Sequence, residues 1–199
     1  RQTSDATAGI PILAVDFQGF KATKPVTVVA VTLAAAPAVE PLALQQPDDA
    51  LTLIGPMARV GSAAKPEMRM GGNGLTENWR NTRDWLEWRF TVLKPGLYDT
   101  TVVTTHQHLE PWSGGHTLRL TCAGQTLRRR TKREAILPGL RSEYYPQIGT
   151  RFGRMHFPHA GTYTLRLQAD RLNLKKSGKT LFSDGGMQFC EIRFIPVQV

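Results

Sequence analysis

Between Trp85 and Val92 the side chains alternate without interruption, and this run constrains the fold more than any other feature of the chain. Trp85, Glu87, Arg89 and Thr91 would share one face, and Leu86, Trp88, Phe90 and Val92 the other. One face is therefore polar apart from Trp85, and the other is wholly apolar and needs a second layer to cover it. Lys94-Pro95-Gly96 follows with turn chemistry: proline fixes φ and glycine tolerates positive φ. A second β-rich run, Leu97 to Thr105, then begins. Upstream, Glu77-Asn78-Trp79-Arg80-Asn81 reads as a polar loop carrying an aromatic residue.

The same reading extends along the chain. IPILAVDF and VTVVAVTL predict two early strands separated by Lys24-Pro25. Pro37, Pro41 and Pro47 then break any helix and predict an extended linker ending near residue 46. LTLIGP predicts a strand, and MARVGSAAKPEMRMGGNGL reads as irregular. Further strands are predicted over His116–Cys122, Gln125–Arg129, Arg151–Phe157, Thr162–Ala169 and Met187–Val197, with a loop holding one short strand over 130–150. No amphipathic helix of convincing length interrupts the series. The predicted class is all-β, an antiparallel β-sandwich over 47–199, preceded by a β-rich segment and Pro-rich linker over 1–46.

Composition narrows the partners. A net charge of +9 and a pI near 10.0 favour anionic ligands such as sulfates, phosphates or uronates. The densest basic cluster, Arg128, Arg129, Arg130, Lys132 and Arg133, reads either as a polyanion patch or as a solvated face; no basic DNA-reading helix accompanies it, so nucleic acid is not expected. No apolar run reaches the roughly 18 residues of a membrane span, so no membrane insertion is expected. The chain does not open on methionine and reads as a processed product or a piece of a longer protein. Cys122 and Cys190 lie far apart in β-like runs, outside any metal-binding spacing, and read as buried thiols or, alternatively, a disulfide.

A family resemblance follows from the order of several motifs. Gly72 and Gly74, Trp79-Arg80-Asn81, Asp84-Trp85-Leu86-Glu87-Trp88, Lys94-Pro95-Gly96-Leu97-Tyr98, His159-Ala160-Gly161-Thr162-Tyr163-Thr164-Leu165 and Glu191-Ile192-Arg193-Phe194-Ile195-Pro196 together resemble the galactose-binding-like jelly-roll modules at the C-terminus of α-L-fucosidases and related secreted glycan-processing enzymes. The resemblance implies a jelly-roll sandwich and a non-catalytic, carbohydrate-binding-like accessory role. It also implies a secreted or periplasmic location. The partners it implies are a glycan, anionic by the charge argument, and a catalytic domain or other protein chain. Related modules often hold a structural calcium between acidic residues on the first and last strands. Pro56-Met57 and Cys190 offer no carboxylate there and Glu191 is expected to face away from Cys190, so no metal or other cofactor is expected.

Sugar recognition uses flat aromatic faces with amides, carboxylates or guanidinium groups beside them. The candidates on this basis are Trp79, Arg80, Asn81, Trp112 and Tyr144. For each tryptophan the alternative is a plug at the edge of the core. His106, His108 and Glu110 offer zinc-like donors in one short run, without a further ligand in view. Asp84 and Glu87, the best acidic pair, would face opposite sides of their strand, and no nucleophile elbow or phosphate loop occurs, so no catalytic residue is assigned.

Overall fold

The computed structural model describes residues 2–4, 11–13, 43–106, 112, 114–137, 145–174 and 186–197. The chain divides into two compact units, Arg1–Pro41 and Leu42–Val199. In the first, β1 (Gln2–Ser4) pairs antiparallel with β2 (Pro11–Leu13). The strand expected over VTVVAVTL lies outside the described residues.

The second unit is built from β3 (Ala43–Leu44), β4 (Leu51–Ile54), β5 (Arg59–Ser62), β6 (Arg69–Met70), β7 (Thr76–Glu77), β8 (Asp84–Val92), β9 (Gly96–Thr105), β10 (Thr117–Cys122), β11 (Gln125–Arg130), β12 (Ala135–Leu137), β13 (Gln147–Phe157), β14 (Gly161–Arg171) and β15 (Gln188–Pro196). One sheet runs β11-β10-β14-β8-β3, with β5 also paired to β8; the other runs β12-β13-β9-β15-β4. Every pairing in these two sheets is antiparallel except β3 with β8. The architecture is an antiparallel two-sheet sandwich of jelly-roll type. β3 falls in the stretch read as extended linker, and β5 and β6 in the stretch read as irregular. None of the three exceeds four residues, too short for a periodic signal.

Alternation in β8 explains the layering. Leu86, Trp88 and Phe90 are buried at 0–1% exposure. They meet aromatic side chains from the other sheet: Phe90 lies 5.7 Å from Phe157 and 6.1 Å from Phe194, and Trp88 lies 5.5 Å from Phe189. Each such side chain contributes about 1.5–3 kcal/mol through burial alone. Trp88 also donates its indole N–H to the Ile54 carbonyl at 2.8 Å. At the far end of β8, Gln45 accepts from the Leu93 and Lys94 amides and donates to the Tyr98 hydroxyl, fastening the segment before β4 onto the β8–β9 turn.

Two departures from strict alternation matter. The β10–β11 turn places Ala123 and Gly124 at φ of 50° and 74°, the geometry of a two-residue hairpin that an alanine adopts only at some cost. A bulge in β15 between Phe189 and Glu191 puts Phe189 and Ile192, three residues apart, both in the core. Glu191 and Cys190 therefore do not divide between two faces as strict alternation requires, and both are buried. Cys122 and Cys190 are free, buried thiols, as the first of the two cysteine readings expects.

Candidate functional site

The outward face of the β5-β8-β14-β10-β11 sheet carries a partly buried tryptophan, Trp85, in a field of charge. Strand register sets it out in rows. Gly61 is opposite Trp85, Trp85 opposite Gln168, Gln168 opposite Arg119, and Arg119 opposite Arg128. In the adjoining row Arg59 faces Glu87, and Glu87 faces Arg166.

Trp85 is partly buried, and its indole lies against Gly61. A Cβ at position 61 would come within 2.5 Å of the ring, so only glycine leaves room for it. The Arg166 guanidinium rests over the indole at 4.4 Å from the ring centroid, a cation–π contact. Arg166 is held there by Glu87 at 2.9 Å, and Glu87 also accepts from Arg59 at 2.6 Å. Burial of Glu87 opposes ionisation, but hydrogen bonds and charge from Arg166 and Arg59 outweigh it and hold the carboxyl below its usual range. Asp170 is likewise shared, between Arg128 at 2.5 Å and Arg119 at 3.4 Å, and Arg119 also donates to the Gln168 amide oxygen at 3.1 Å. Each of these carboxylates thus serves two arginines, which leaves the lattice positive. An aromatic plate flanked by guanidinium, amide and carboxylate groups can stack a pyranose and bond its hydroxyls or anionic substituents.

The loop-end residues fare differently. Trp79 is 0% exposed and part of the core, so its indole has no free face to offer a sugar; the expectation of a Trp79 platform is corrected in favour of the core-plug alternative. Its carbonyl accepts from the Met187 amide, which draws the loop onto the second sheet. Asn81 is used locally: its carbonyl oxygen accepts from the Arg83 and Asp84 amides and its Nδ2 donates to Asp84 Oδ2. Such an Asx turn commits the amide oxygen and one N–H of Asn81 to the local chain. Arg80 is exposed. Trp112 is half-buried, donates to Thr104 Oγ1 at 3.2 Å, and packs so tightly on Gly114 that a Cβ there would lie 2.1 Å from the ring. Tyr144, His108 and Glu110 lie outside the described residues.

Asp84 is sealed at 0% exposure, with Oδ2 accepting from the Glu67 and Met68 amides, while Glu87 belongs to the outward face, so the two carboxylates do not converge. The cost of burying Asp84 is outweighed by hydrogen bonds from Ser62, Met68, Asn81 and Glu67, which hold its pKa below the usual value. His116, at 1% exposure, is pushed down to about 4 by burial, and its Nδ1 accepts from the Asn173 amide at 3.0 Å. Among the described residues no three His, Cys, Asp or Glu side chains gather as a metal site, and no helix is long and apolar enough to cross a membrane.

The sequence left Trp85 between core and surface, yet the signal was present: alternation groups it with Glu87 and Arg89 on the polar face. The basic cluster divides by the same rule. Arg128 and Arg130 share the face of Arg119 and Thr117, whereas Lys132 and Arg133 fall beyond the strand.

Comparison with solved structures decides the fold. The α-L-fucosidase from Vibrio sp. strain EJY3 superimposes at a TM-score of 0.56 with 18% identity, over 78% of this chain and 24% of that one. The insecticidal crystal protein Cry2Aa does so at 0.52 with 15% identity, over 78% of this chain and 23% of that one. The fold is an antiparallel β-sandwich of jelly-roll type. A family 35 carbohydrate-binding module from Clostridium thermocellum is also similar, at a TM-score of 0.43 and 12% identity, covering 74% of this chain and 98% of the module. At these identities the jelly-roll likeness establishes architecture alone. The chain spans about a quarter of the fucosidase and of Cry2Aa. No protein-family model matches the sequence. No curated protein matches it either.

Proposed function

We propose that this jelly roll is a non-catalytic carbohydrate-binding module, secreted or periplasmic, that serves a glycan-processing enzyme by holding it near an anionic glycan. The observation that carries the reading is Trp85: a tryptophan on the outward, charged face of a sheet, set over a glycine and ringed by Arg166, Gln168 and Glu87. A side chain needed only for packing belongs on the other face, where Leu86 and Trp88 already stand. Holding an enzyme at its substrate raises effective concentration without new chemistry, which suits a site without converging carboxylates. Arg80, Trp112 and Tyr144 stay in the proposal as further candidate ligand contacts.

A glycan array with the whole chain tests this. Binding that falls for Trp85→Ala while the melting temperature holds supports the reading. Binding lost only in Trp112→Ala moves the site to the loop end. Absence of binding to any glycan at low salt overturns the reading. A second reading is favoured by the quarter-length matches to much longer proteins: a structural domain packed against a catalytic domain or partner chain, with no sugar site. Stable co-purification with such a chain, with no glycan affinity, would establish it.

A further inference from the structure

We infer that the outward face of the second sheet carries a separate pocket for one neutral pyranose, held by Glu191, Arg193, Gln147 and Thr52. Along β15, Ile192 and Phe194 belong to the core, so Glu191, Arg193 and Ile195 take the opposite face. Register sets Thr52 of β4 opposite Arg193, and β9 lies between β15 and β13, the strand that begins at Gln147. A cavity of about 280 Å³ opens at this place, lined by these four side chains and by Ala50, Phe194 and Ile195. Two of its polar groups are deeply set, with Gln147 at 3% exposure and Glu191 at 4%. Arg193 donates through Nε to Glu191 and through Nη2 to the Gln147 amide oxygen at 3.3 Å; its Nη1 makes no hydrogen bond among the described residues. Packing alone gives no reason for this polar group. Val103, opposite Glu191, belongs with Leu75 and Cys190 to a small apolar cluster, which apolar side chains could extend at no loss, since a buried ion pair adds little net stability.

The ligand's chemistry follows from the balance of these groups. Among the described residues that line the cavity the charges are Glu191 and Arg193, and they cancel. An anion would be repelled by Glu191, and a cation by Arg193. Arg193 and the Gln147 amide N–H donate, Glu191 accepts, and the Thr52 hydroxyl does either. Sugar hydroxyls, each both donor and acceptor, match that mixed set, while Ala50, Phe194 and Ile195 suit the C–H side of the ring. Ligand pockets commonly span about 300–1,000 Å³, so a cavity just below that range takes one ring and not a chain. This pocket and Trp85 lie on different sheets, so the two sites stand or fall separately.

The test uses the whole chain and the methyl glycosides of glucose, galactose and mannose, each beside its own uronate. Backbone amide and indole resonances are followed during titration. At least one neutral glycoside should saturate a single site that shifts Thr52, Gln147, Glu191 and Arg193 and leaves the Trp85 indole still. It should bind at least about tenfold tighter than its uronate. E191Q keeps the shape but removes the charge that balances Arg193, so it should reverse that order. A50L fills the cavity without altering the polar groups and should abolish binding, whereas Trp85→Ala should leave it intact. A melting curve checks that each variant folds, and if E191Q does not, A50L still decides. No shift at these residues with any glycoside, a uronate bound as tightly as its neutral counterpart, an order that folded E191Q leaves unchanged, or binding that survives A50L overturns the inference. Shifts confined to Trp85 overturn it and leave the proposed function standing. Saturation of the pocket, with no glycan on the array sensitive to Trp85→Ala, supports it and removes Trp85 from that function.

Discussion

Acid should weaken this sandwich through one buried imidazole before its carboxylates respond. His116 precedes β10 at 1% exposure; its Nδ1 accepts from Asn173, and its own backbone amide donates to the Thr131 hydroxyl. Protonation removes that acceptor and places a charge where burial has already pushed the pKa from 6.5 down to about 4. The folded-state pKa lies below the unfolded one. The stabilising contribution is thus complete above pH 6.5, declines as pH falls, and is spent near pH 4. At about 1.4 kcal/mol per unit, the loss between pH 6.5 and 5 is about 2 kcal/mol, and the whole window is worth about 3. Asp84 and Glu87 have depressed pKa values measured against 3.8 and 4.5, so their stabilisation is lost at the acid end of this range and below it. Urea unfolding followed by tryptophan fluorescence at pH 7.5, 6.5, 5.5 and 5.0 should show this slope in the wild type. His116→Asn, whose Oδ1 falls where the imidazole Nδ1 does and can still accept from Asn173 but cannot titrate, should show almost none. Parallel pH dependence in the two proteins would refute the assignment.

Other expectations rest on single contacts. Gln45→Ala strands the Leu93 and Lys94 amides and should cost about 1–3 kcal/mol, read as a shift in the urea midpoint at constant slope. Trp79→Ala should cost about 3–5 kcal/mol as a core truncation and leave the glycan specificity of the folded fraction unchanged. Ala123→Asn suits the left-handed turn and should add up to about 1 kcal/mol of stability, seen as a higher melting temperature. Cys122, with burial pushing its thiol up to about 12, and the buried Cys190 should resist a thiol reagent in the native protein and both react in urea.

The major strands were legible because half-burial prints a period of two. β8, β9, β10, β11 and β14 follow their alternation to within one or two residues at each end, and β13 begins four residues earlier than the sequence suggested. The sandwich fold followed from that pattern together with the turns. The site was less legible. Trp79 and Trp112 both sit among polar neighbours in loops, and which of the two folds inward depends on contacts made far away in sequence, such as Trp79 with Met187. Asn81 gave no hint that its amide is consumed by its own turn. Glu191 was misread because a bulge, invisible in a two-residue period, intervenes. The face around Trp85 needed strand order: Arg119, Arg128, Arg166 and Gln168 lie 34 to 83 positions away from Trp85 in sequence, and only register brings them into rows.

The most direct test of Trp85 as the ligand plate uses the indole N–H resonances of the four tryptophans, assigned by substitution and followed during titration with an anionic glycan that binds. Displacement of the Arg166 guanidinium by a sugar should shift the Trp85 resonance strongly and leave those of the core residues Trp79 and Trp88 nearly unmoved. A Trp85 resonance that stays fixed through saturation, whether or not that of Trp112 moves, would contradict the account.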